Sequence, residues 1–578
     1  MNKFQLDPEM LQIASQIERE IEPGSFEVKG VQKMKIPMRD GILLDASLYV
    51  PDQGESWPCI LIRHPYPHIH SYHEASCMHF VKHGYAVLIQ SCRGTGASEG
   101  KWEPFVNERE DGIDTLQWLV QQSFQNGNIA LFGQSYSSYT TWIIADAFPP
   151  EVKTVFLDLF GVDRYGQMYS NGMFRHDIYT SWAFANSGIK TEAHPGTLYQ
   201  QALKIWPHQN ADQELFGQSL PFYQHYISET SRASEYWQQG IWSLLLQIPQ
   251  KINIPVFVVE GWFDHHLEGA LKGYELLPDE IKKSSRLVIG PWDHIGDSPG
   301  ELDYPDANLL GTARIKAGLE WFAVHLKHEH SAPSHPVSYY RIGAGKWEHA
   351  DVWPLAGVSR RMYLSANEGS SRITGRLGSE PSASGKVQYE YDPQNPLPTH
   401  GGSALLAWIT PGYGGAPHGS LLQPDHRQRS DVLYFDSPVF EEPQNITGKI
   451  LVSLKVSTDA EDTAFSVKLM EVFPDGRSFN IVDGITSLVY RNNSDRPLVY
   501  TPGEPVDVKI EMWPTAWQLQ KGSFIRVEVS SSNFPAYHVH SNFKGSWASQ
   551  EATKIAKQTV YVGIGESYIE LPGKWADM

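Results

Sequence analysis

The stretch from Asn128 to Ser138 constrains the fold of this chain more than any other. Residues 129–132 (Ile, Ala, Leu, Phe) form a short apolar run that predicts a buried strand. From Ser135 onward, Tyr139, Trp142, Ile143 and Ala147 recur at helical spacing. Between strand and helix lies Gly133-Gln134-Ser135-Tyr136-Ser137. Such a G-x-S-x-small turn pushes its serine into a tight, exposed elbow. The positions two before and two after the serine must be small, because strand and helix pass close together there. Gly133 and Ser137 meet that need. An ordinary strand-to-helix turn containing serines would read the same way, so the rest of the chain has to decide.

Upstream, residues 26–50 predict two strands around the turn signal Arg39-Asp40-Gly41, and 58–63 a third. Residues 64–67, His-Pro-Tyr-Pro, force a loop. A helix over 73–83 and a strand over 85–91 follow. Residues 93–100 are glycine-rich, but the third glycine of a G-x-G-x-x-G fingerprint would fall at Glu99, and no helix opens there. Phosphate binding is therefore not assigned. A helix over 107–122 precedes the elbow, and 152–158 is the next strand. This alternation predicts an open parallel sheet covered by helices on both faces.

From 161 to 250 the chain is dense in aromatics, with no β-branched runs, which predicts a helical insertion capping the carboxyl edge of the sheet. The sheet resumes at 255–260, ending in Gly261-Trp262-Phe263-Asp264, and at 286–289, ending in Gly290-Pro291-Trp292-Asp293-His294. A helix over 312–327 and a Ser-, Pro- and His-rich linker over 328–336 close this part. Beyond 337, many short strands separated by turns predict an all-β sandwich of jelly-roll type. The expected organisation is an α/β core over 1–160 and 251–336, a cap over 161–250 and the β region over 337–578. A chain of 578 residues exceeds what one hydrophobic core usually supports.

The order Ser135, Asp264, His294 is that of the α/β-hydrolase triad. Asp264 and His294 both follow strands at the edge where ligands bind to open parallel sheets. Each residue type has a chemical reason. A serine hydroxyl needs a base, and histidine titrates in the operating range. The aspartate fixes the imidazole tautomer and stabilises the imidazolium. The oxyanion needs pre-placed donors, each worth about 3–4 kcal/mol. The backbone N–H of Tyr136 is one candidate. The hydroxyl of Tyr66 is a second, although a tyrosine between two prolines is equally compatible with simple packing.

The chain resembles the cocaine esterase / X-prolyl dipeptidyl aminopeptidase-like family of serine hydrolases. Met38 to Gly41 with Leu44 and Ala46, Arg63 to Tyr66, Arg93 to Gly100, and Glu110 to Thr115 with Trp118 are similar to its motifs. So are Gly133 to Tyr136, Gly261 to Asp264 and Gly290 to His294, and in the β region Pro396 to Gly402, Asp459 to Thr463 and Ser532 to Pro535. The resemblance implies an α/β-hydrolase core, a helical cap and a C-terminal jelly roll, with Tyr66 in the oxyanion hole. Ser138 stands where the family often has glycine. A branch of the family acting on α-amino esters carries acidic residues just after the triad aspartate. Here those positions are His266 and Leu267, so that substrate class would need cap carboxylates such as Asp163 or Asp177. His266 is a candidate substrate contact.

Six histidines, His64, His68, His70, His73, His79 and His83, crowd one stretch with Cys77. The run crosses a loop and enters a helix, so all six cannot converge, and no metal is assigned there or at His538 and His540. No cofactor is expected. The partner expected is a small-molecule ester or amide, and a homo-oligomer is left open. A net charge of −19 argues against nucleic acid or an anionic membrane. No apolar run approaches the ~20 residues of a membrane span. Residues 1–23 lack a signal-peptide pattern and instead suggest an amphipathic helix through Ile13, Ile17 and Ile21. Three cysteines, Cys59, Cys77 and Cys92, with no C-x-x-C pair, fit a reducing cytoplasmic setting. Three alternatives to a simple esterase or amidase stay open: an Xaa-Pro dipeptidyl peptidase, a β-lactam acylase, and a carbohydrate-binding protein on an inactive hydrolase scaffold.

Overall fold

A computed structural model describes residues 19–67, 70–309, 311–329, 335–355, 357–366, 374–404 and 415–575. Ile13, Ile17 and His68 lie outside the described residues, as does part of the expected linker. The first sheet contains β1 (Val28–Pro37), β2 (Leu43–Pro51), β3 (Trp57–His64), β4 (Ala86–Ser91), β5 (Gln125–Gln134) and β6 (Val152–Asp158). A two-residue hairpin, β7 (Tyr169–Ser170) with β8 (Met173–Phe174), belongs to the cap. The sheet continues through β9 (Val256–Gly261), β10 (Arg286–Gly290), β11 (Val337–Arg341) and β12 (Lys346–Ala350). Its order is β1-β2-β4-β3-β5-β6-β9-β10-β11-β12. The stretch from β4 to β11 is parallel, and the remaining pairings at both ends are antiparallel.

The expected start of the β region needs correction. Val337 to Arg341, placed by sequence at its opening, instead pairs in parallel with β10 through Leu287 and Val337. The first sheet therefore runs on past 336 to Ala350. A short apolar strand after a polar linker looks alike in either sheet, and its partner is set by tertiary contacts that periodicity does not encode.

β3, β4 and β9 are buried at every position because both faces of the sheet are covered, and their residues are mostly apolar. On one face Ala130, Phe132, Phe156, Phe257 and Val259 pack under the helix Thr312–Lys327, where Trp321 and Phe322 join them. On the other, Leu131, Val155, Leu157 and Val258 meet Tyr139, Trp142 and Ile143. Cys59, Cys77 and Cys92 are all buried free thiols.

Between β6 and β9 the chain forms a cap of short helices, including Arg164–Met168, His176–Ala185, Pro221–Ser228 and Gly240–Gln247. It is seated on the core by aromatic contacts: Phe105 lies 5.5 Å from Trp182 and 5.2 Å from Trp242 between ring centroids. Residues beyond Ala350 build the jelly roll, in which nearly all pairings are antiparallel. The jelly roll grips the core through the Ile342 N–H bond to the Ala516 carbonyl (2.9 Å) and through Arg341, which donates to Thr447 (2.9 Å). It grips the cap where the Asp177 N–H donates to the Pro535 carbonyl (2.9 Å). Among the described residues no helix is long and apolar enough to cross a membrane.

The aromatic layer under the sheet should be the main store of core stability. Phe156 is fully buried, 5.0 Å from Phe132 and 4.6 Å from Phe257. Phe156→Ala is expected to cost about 3–5 kcal/mol. Val499→Ala, at a side chain 89% exposed, should stay within about 0.5 kcal/mol. Equilibrium denaturation of both variants checks this.

Candidate active site

Ser135 sits between β5 and the helix Tyr136–Trp142 with φ +56° and ψ −122°. That left-handed conformation costs a non-glycine residue about 1–3 kcal/mol and persists only where its surroundings over-determine it. Here they do. The Ser135 N–H donates to the Asp158 carbonyl (2.8 Å), tying the elbow to β6. The buried Ser138 hydroxyl donates to the Gly133 carbonyl (2.7 Å) and accepts from the Asp158 N–H (2.9 Å). The residue that departs from the family's glycine thus staples the turn. A Cβ on Gly133 would lie 2.5 Å from the backbone of Ser137 and Ser138, which is why that position must be glycine.

The structure brings Ser135, His294 and Asp264 together. Ser135 Oγ lies 2.8 Å from His294 Nε2, and His294 Nδ1 lies 3.0 and 3.2 Å from the Asp264 carboxylate oxygens. Asp264 is fully buried, while Ser135 is only half-buried. The loop carrying His294 is held from three sides. Arg314 donates to the Ile295 carbonyl (3.1 Å) and pairs with Asp158. The Asp293 carboxylate accepts from the Ile295 N–H (3.0 Å) and the Asp297 N–H (3.1 Å). His418, from the jelly-roll side, meets Asp293 at 2.9 Å.

The electrostatics around Asp264 involve residues that sequence reasoning missed. Burial works to raise the Asp264 carboxyl, but His294 and His265 beside it outweigh that and hold it well below the ordinary carboxylate range. His265 Nδ1 lies 3.1 Å from Asp264, and the His266 N–H donates to it at the same distance. Glu260, at the end of β9, is driven the other way. Burial, then the charge of Asp264, push it well above the ordinary carboxylate range. Burial lifts Asp158 to about 6 despite Arg314.

Tyr66 and Tyr136 both lie at the elbow, with ring centroids 6.1 Å apart. The Tyr66 oxygen accepts from the Trp182 indole N–H of the cap (3.2 Å), and burial keeps the phenol protonated. The Tyr136 phenol is engaged elsewhere, donating to Glu108 (2.8 Å) and accepting from the Phe105 N–H (2.7 Å). Tyr136 opens its helix, so its backbone N–H has no carbonyl one turn back to bond. Trp182 and Glu108 carry no motif of their own; density of aromatics in the cap was the only available signal for the first.

His266 was expected to touch substrate. Its side chain is buried, its ring against Phe160 (4.7 Å) and near His294 (5.2 Å). Of the two cap carboxylates considered for a substrate ammonium, Asp163 is paired with Arg232 (3.0 Å). Asp177 accepts from the Tyr199 hydroxyl and the Ala416 N–H, both at 3.4 Å. In the histidine-rich run, His64, His70 and His73 pack together: His64 Nε2 lies 3.0 Å from His70 Nδ1. Among the described residues only His265, His266 and His294 offer nitrogens within 4.8 Å of one another that could hold a metal ion. Asp264 and Ser135 already engage two of those rings, so the trio reads as the surround of Asp264.

This fold and site define an α/β-hydrolase carrying a helical cap and a C-terminal jelly roll. The X-Pro dipeptidyl-peptidase (S15 family) model matches residues 40–296, and the model of the X-Pro dipeptidyl-peptidase C-terminal non-catalytic domain matches residues 330–568. The second match begins before β11, although β11 and β12 pair in the first sheet. The chain is 29% identical to the cocaine esterase of Rhodococcus sp. (strain MB1 Bresler), over 95% of this chain and 99% of that protein. Two solved structures share its fold at 23% identity. One is an aminopeptidase from a marine sediment archaeon, Thaumarchaeota archaeon (TM-score 0.80, 96% of this chain, 97% of that one). The other is an α-amino acid ester hydrolase (TM-score 0.79, 96% and 98%). The chain belongs to the cocaine esterase / X-prolyl dipeptidyl-peptidase-like family of serine hydrolases.

Two outcomes test this account of the elbow. Gly133→Ala should destabilise the protein by about 1–3 kcal/mol through overpacking and should impair the reactivity of Ser135; denaturation and active-site labelling read both. Buried Glu108 is lifted from 4.5 to about 7 in the folded state. The folded protein therefore holds a proton there that the unfolded chain has lost, and stability should fall as pH rises through that window. Glu108→Gln should flatten that part of the pH–stability curve.

Proposed function

We propose that this protein cleaves an ester or amide bond of a small acyl substrate through an acyl-enzyme on Ser135. Ser135 Oγ attacks the carbonyl carbon as His294 Nε2 takes its proton, and Asp264 holds the imidazole in the tautomer that can accept it. The tetrahedral oxyanion is stabilised by the Tyr136 backbone N–H and the Tyr66 hydroxyl. Collapse expels the leaving group, which receives the proton from His294. Water then attacks the acyl carbon with His294 again as base, releasing the acid and restoring Ser135. The observation that carries this reading is the unbroken chain of 2.8 and 3.0 Å contacts from Ser135 through His294 to Asp264.

Two of the alternatives, the Xaa-Pro peptidase and the carbohydrate-binding protein, fit less well. An Xaa-Pro peptidase must hold a substrate ammonium, and the cap carboxylates considered for that task are occupied by Arg232, Tyr199 and Ala416. A carbohydrate module would display aromatic platforms, yet Trp517 is fully buried and bonded to Glu471 (2.7 Å), and Trp547 stacks on Phe174, His208 and His538. Trp408 lies outside the described residues.

Fluorophosphonate should label the wild type and leave Ser135→Ala unlabelled and inactive toward aryl esters. Label retained in the variant would remove Ser135 as nucleophile. Tyr66→Phe should lower kcat by about two to three orders of magnitude with unchanged thermal stability. An unchanged rate would take Tyr66 out of the oxyanion hole.

A further inference from the structure

His64 belongs to the histidine-rich run that the triad does not use, and it touches the loop that carries Tyr66. It is the last residue of β3 and is fully buried, and its carbonyl accepts from the Cys92 N–H (2.9 Å). It is thus fixed in the sheet. The loop after it is poor in main-chain donors. Pro65 and Pro67 have no N–H, so between His64 and His68 only Tyr66 can donate. That one N–H donates to His64 Nδ1 (3.3 Å).

The bond assigns the state of the ring. A ring nitrogen that accepts a hydrogen bond carries no proton, so His64 is the tautomer protonated at Nε2. His64 Nε2 lies 3.0 Å from His70 Nδ1, which therefore accepts from it. His70 then carries its proton at Nε2, 3.4 Å from the Glu74 carboxylate one turn further along the helix His70–Lys82. Tyr49 of β2 donates to the same carboxylate, and Lys33 of β1 lies 3.9 Å from it. The two ends fix the direction of this chain, because a backbone N–H can only donate and a carboxylate can only accept. Burial lowers the His70 imidazole, against the pull of Glu74 and Asp45. Burial also brings His73, whose ring is 4.9 Å from that of His64, down to about 4, with His70 and Arg314 adding to the effect. Both neighbouring rings are thus neutral at neutral pH, as a chain of alternating donors and acceptors requires.

We infer that His64 is a positioning residue for the oxyanion hole: its Nδ1 holds the Tyr66 main chain, and His70 with Glu74 holds His64 in the tautomer that can do so. This deepens the hydrolase reading above and rests on its use of the Tyr66 hydroxyl. Tyr66 is then fixed at both ends, by His64 at its backbone and by the Trp182 N–H at its oxygen (3.2 Å). Such fixing matters because a misplacement of ~1 Å can cost about a hundredfold in rate. The opposite tautomer of His64 would turn an N–H toward the Tyr66 N–H and release the loop.

The test is a double-mutant cycle on the turnover of 4-nitrophenyl acetate. In the wild type, His64→Leu should lower kcat by about tenfold or more with KM little changed. In the Tyr66→Phe background the same substitution should cost less than about twofold, because the hydroxyl being positioned is gone. His64→Asn, whose side-chain oxygen takes the place of Nδ1, should recover most of the loss. His64→Gln, whose amide lies where Nε2 was, should not. His70→Phe removes the acceptor that selects the tautomer, so it should lower kcat in the wild type and leave Tyr66→Phe unaffected. It carries the cycle, together with the Asn and Gln pair, if His64→Leu does not fold.

A histidine that served only packing would cost both backgrounds alike and would not distinguish Asn from Gln. Equal losses in the two backgrounds, an unchanged kcat in His64→Leu, or rescue by Gln as good as by Asn overturns the proposal. Each of those outcomes leaves Tyr66→Phe impaired and the hydrolase reading standing. Full activity in Tyr66→Phe would instead overturn the oxyanion role of Tyr66, and the positioning role of His64 with it.

Discussion

The close approach of β5 to the helix Tyr136–Trp142 is the constraint on which the site depends. At Gly133 the two backbones leave no room for a Cβ, and one residue pair further on Ser135 is held at a φ that its side chain disfavours. The strain is offset by bonds to β6, through the Asp158 carbonyl and the Ser138 hydroxyl. The result is a hydroxyl presented at the sheet edge and, beside it, the unbonded N–H of Tyr136. Both follow from one backbone turn, so their relative position is set before any substrate arrives. That pre-organisation is where the catalytic advantage of such a site resides.

The second requirement is that His294 and Asp264 stay in register with that turn. β9 and β10 are neighbours, paired through Gly261 and Gly290, and their ends deliver Asp264 and His294 to the same edge. Keeping one carboxylate ionised in a dry interior requires that its neighbours be cationic or neutral. His294 and His265 hold the Asp264 carboxyl low, while burial and the charge of Asp264 push Glu260 high. The jelly roll shares in this, because His418 meets Asp293 immediately before His294. A β domain remote in sequence is therefore part of how the imidazole is aimed.

Much of this was legible in the chain. Ser135, Asp264 and His294 each follow an apolar strand, and strand ends are where local pattern and chemical residue type coincide. Tyr66 was legible as a candidate because two prolines mark its loop. The membership of β11 was not legible: its five residues carry no signal of which sheet they join. The burial of His266 was not legible, because its packing against Phe160 joins positions far apart in sequence. Glu260, Trp182 and Glu108 were invisible for the same reason. Each acts through a neighbour distant in sequence, and a lone glutamate or tryptophan in a buried element has no spacing to betray it.

The residues hardest to read are those of the cap. An α/β core needs specific residues at specific strand ends, so its chemistry leaves a linear trace. A cap needs only to fill space above the serine, so its residues carry no such trace. Arg164 and Arg175 look like ordinary arginines in the sequence; in the fold they stack on the faces of Tyr179 and Trp513. Buried polar groups in folded proteins are nearly always satisfied. Where a nitrogen of a described polar side chain is left without a hydrogen-bond partner, as at Arg164, Arg314 and Arg341, only the folded surroundings reveal it.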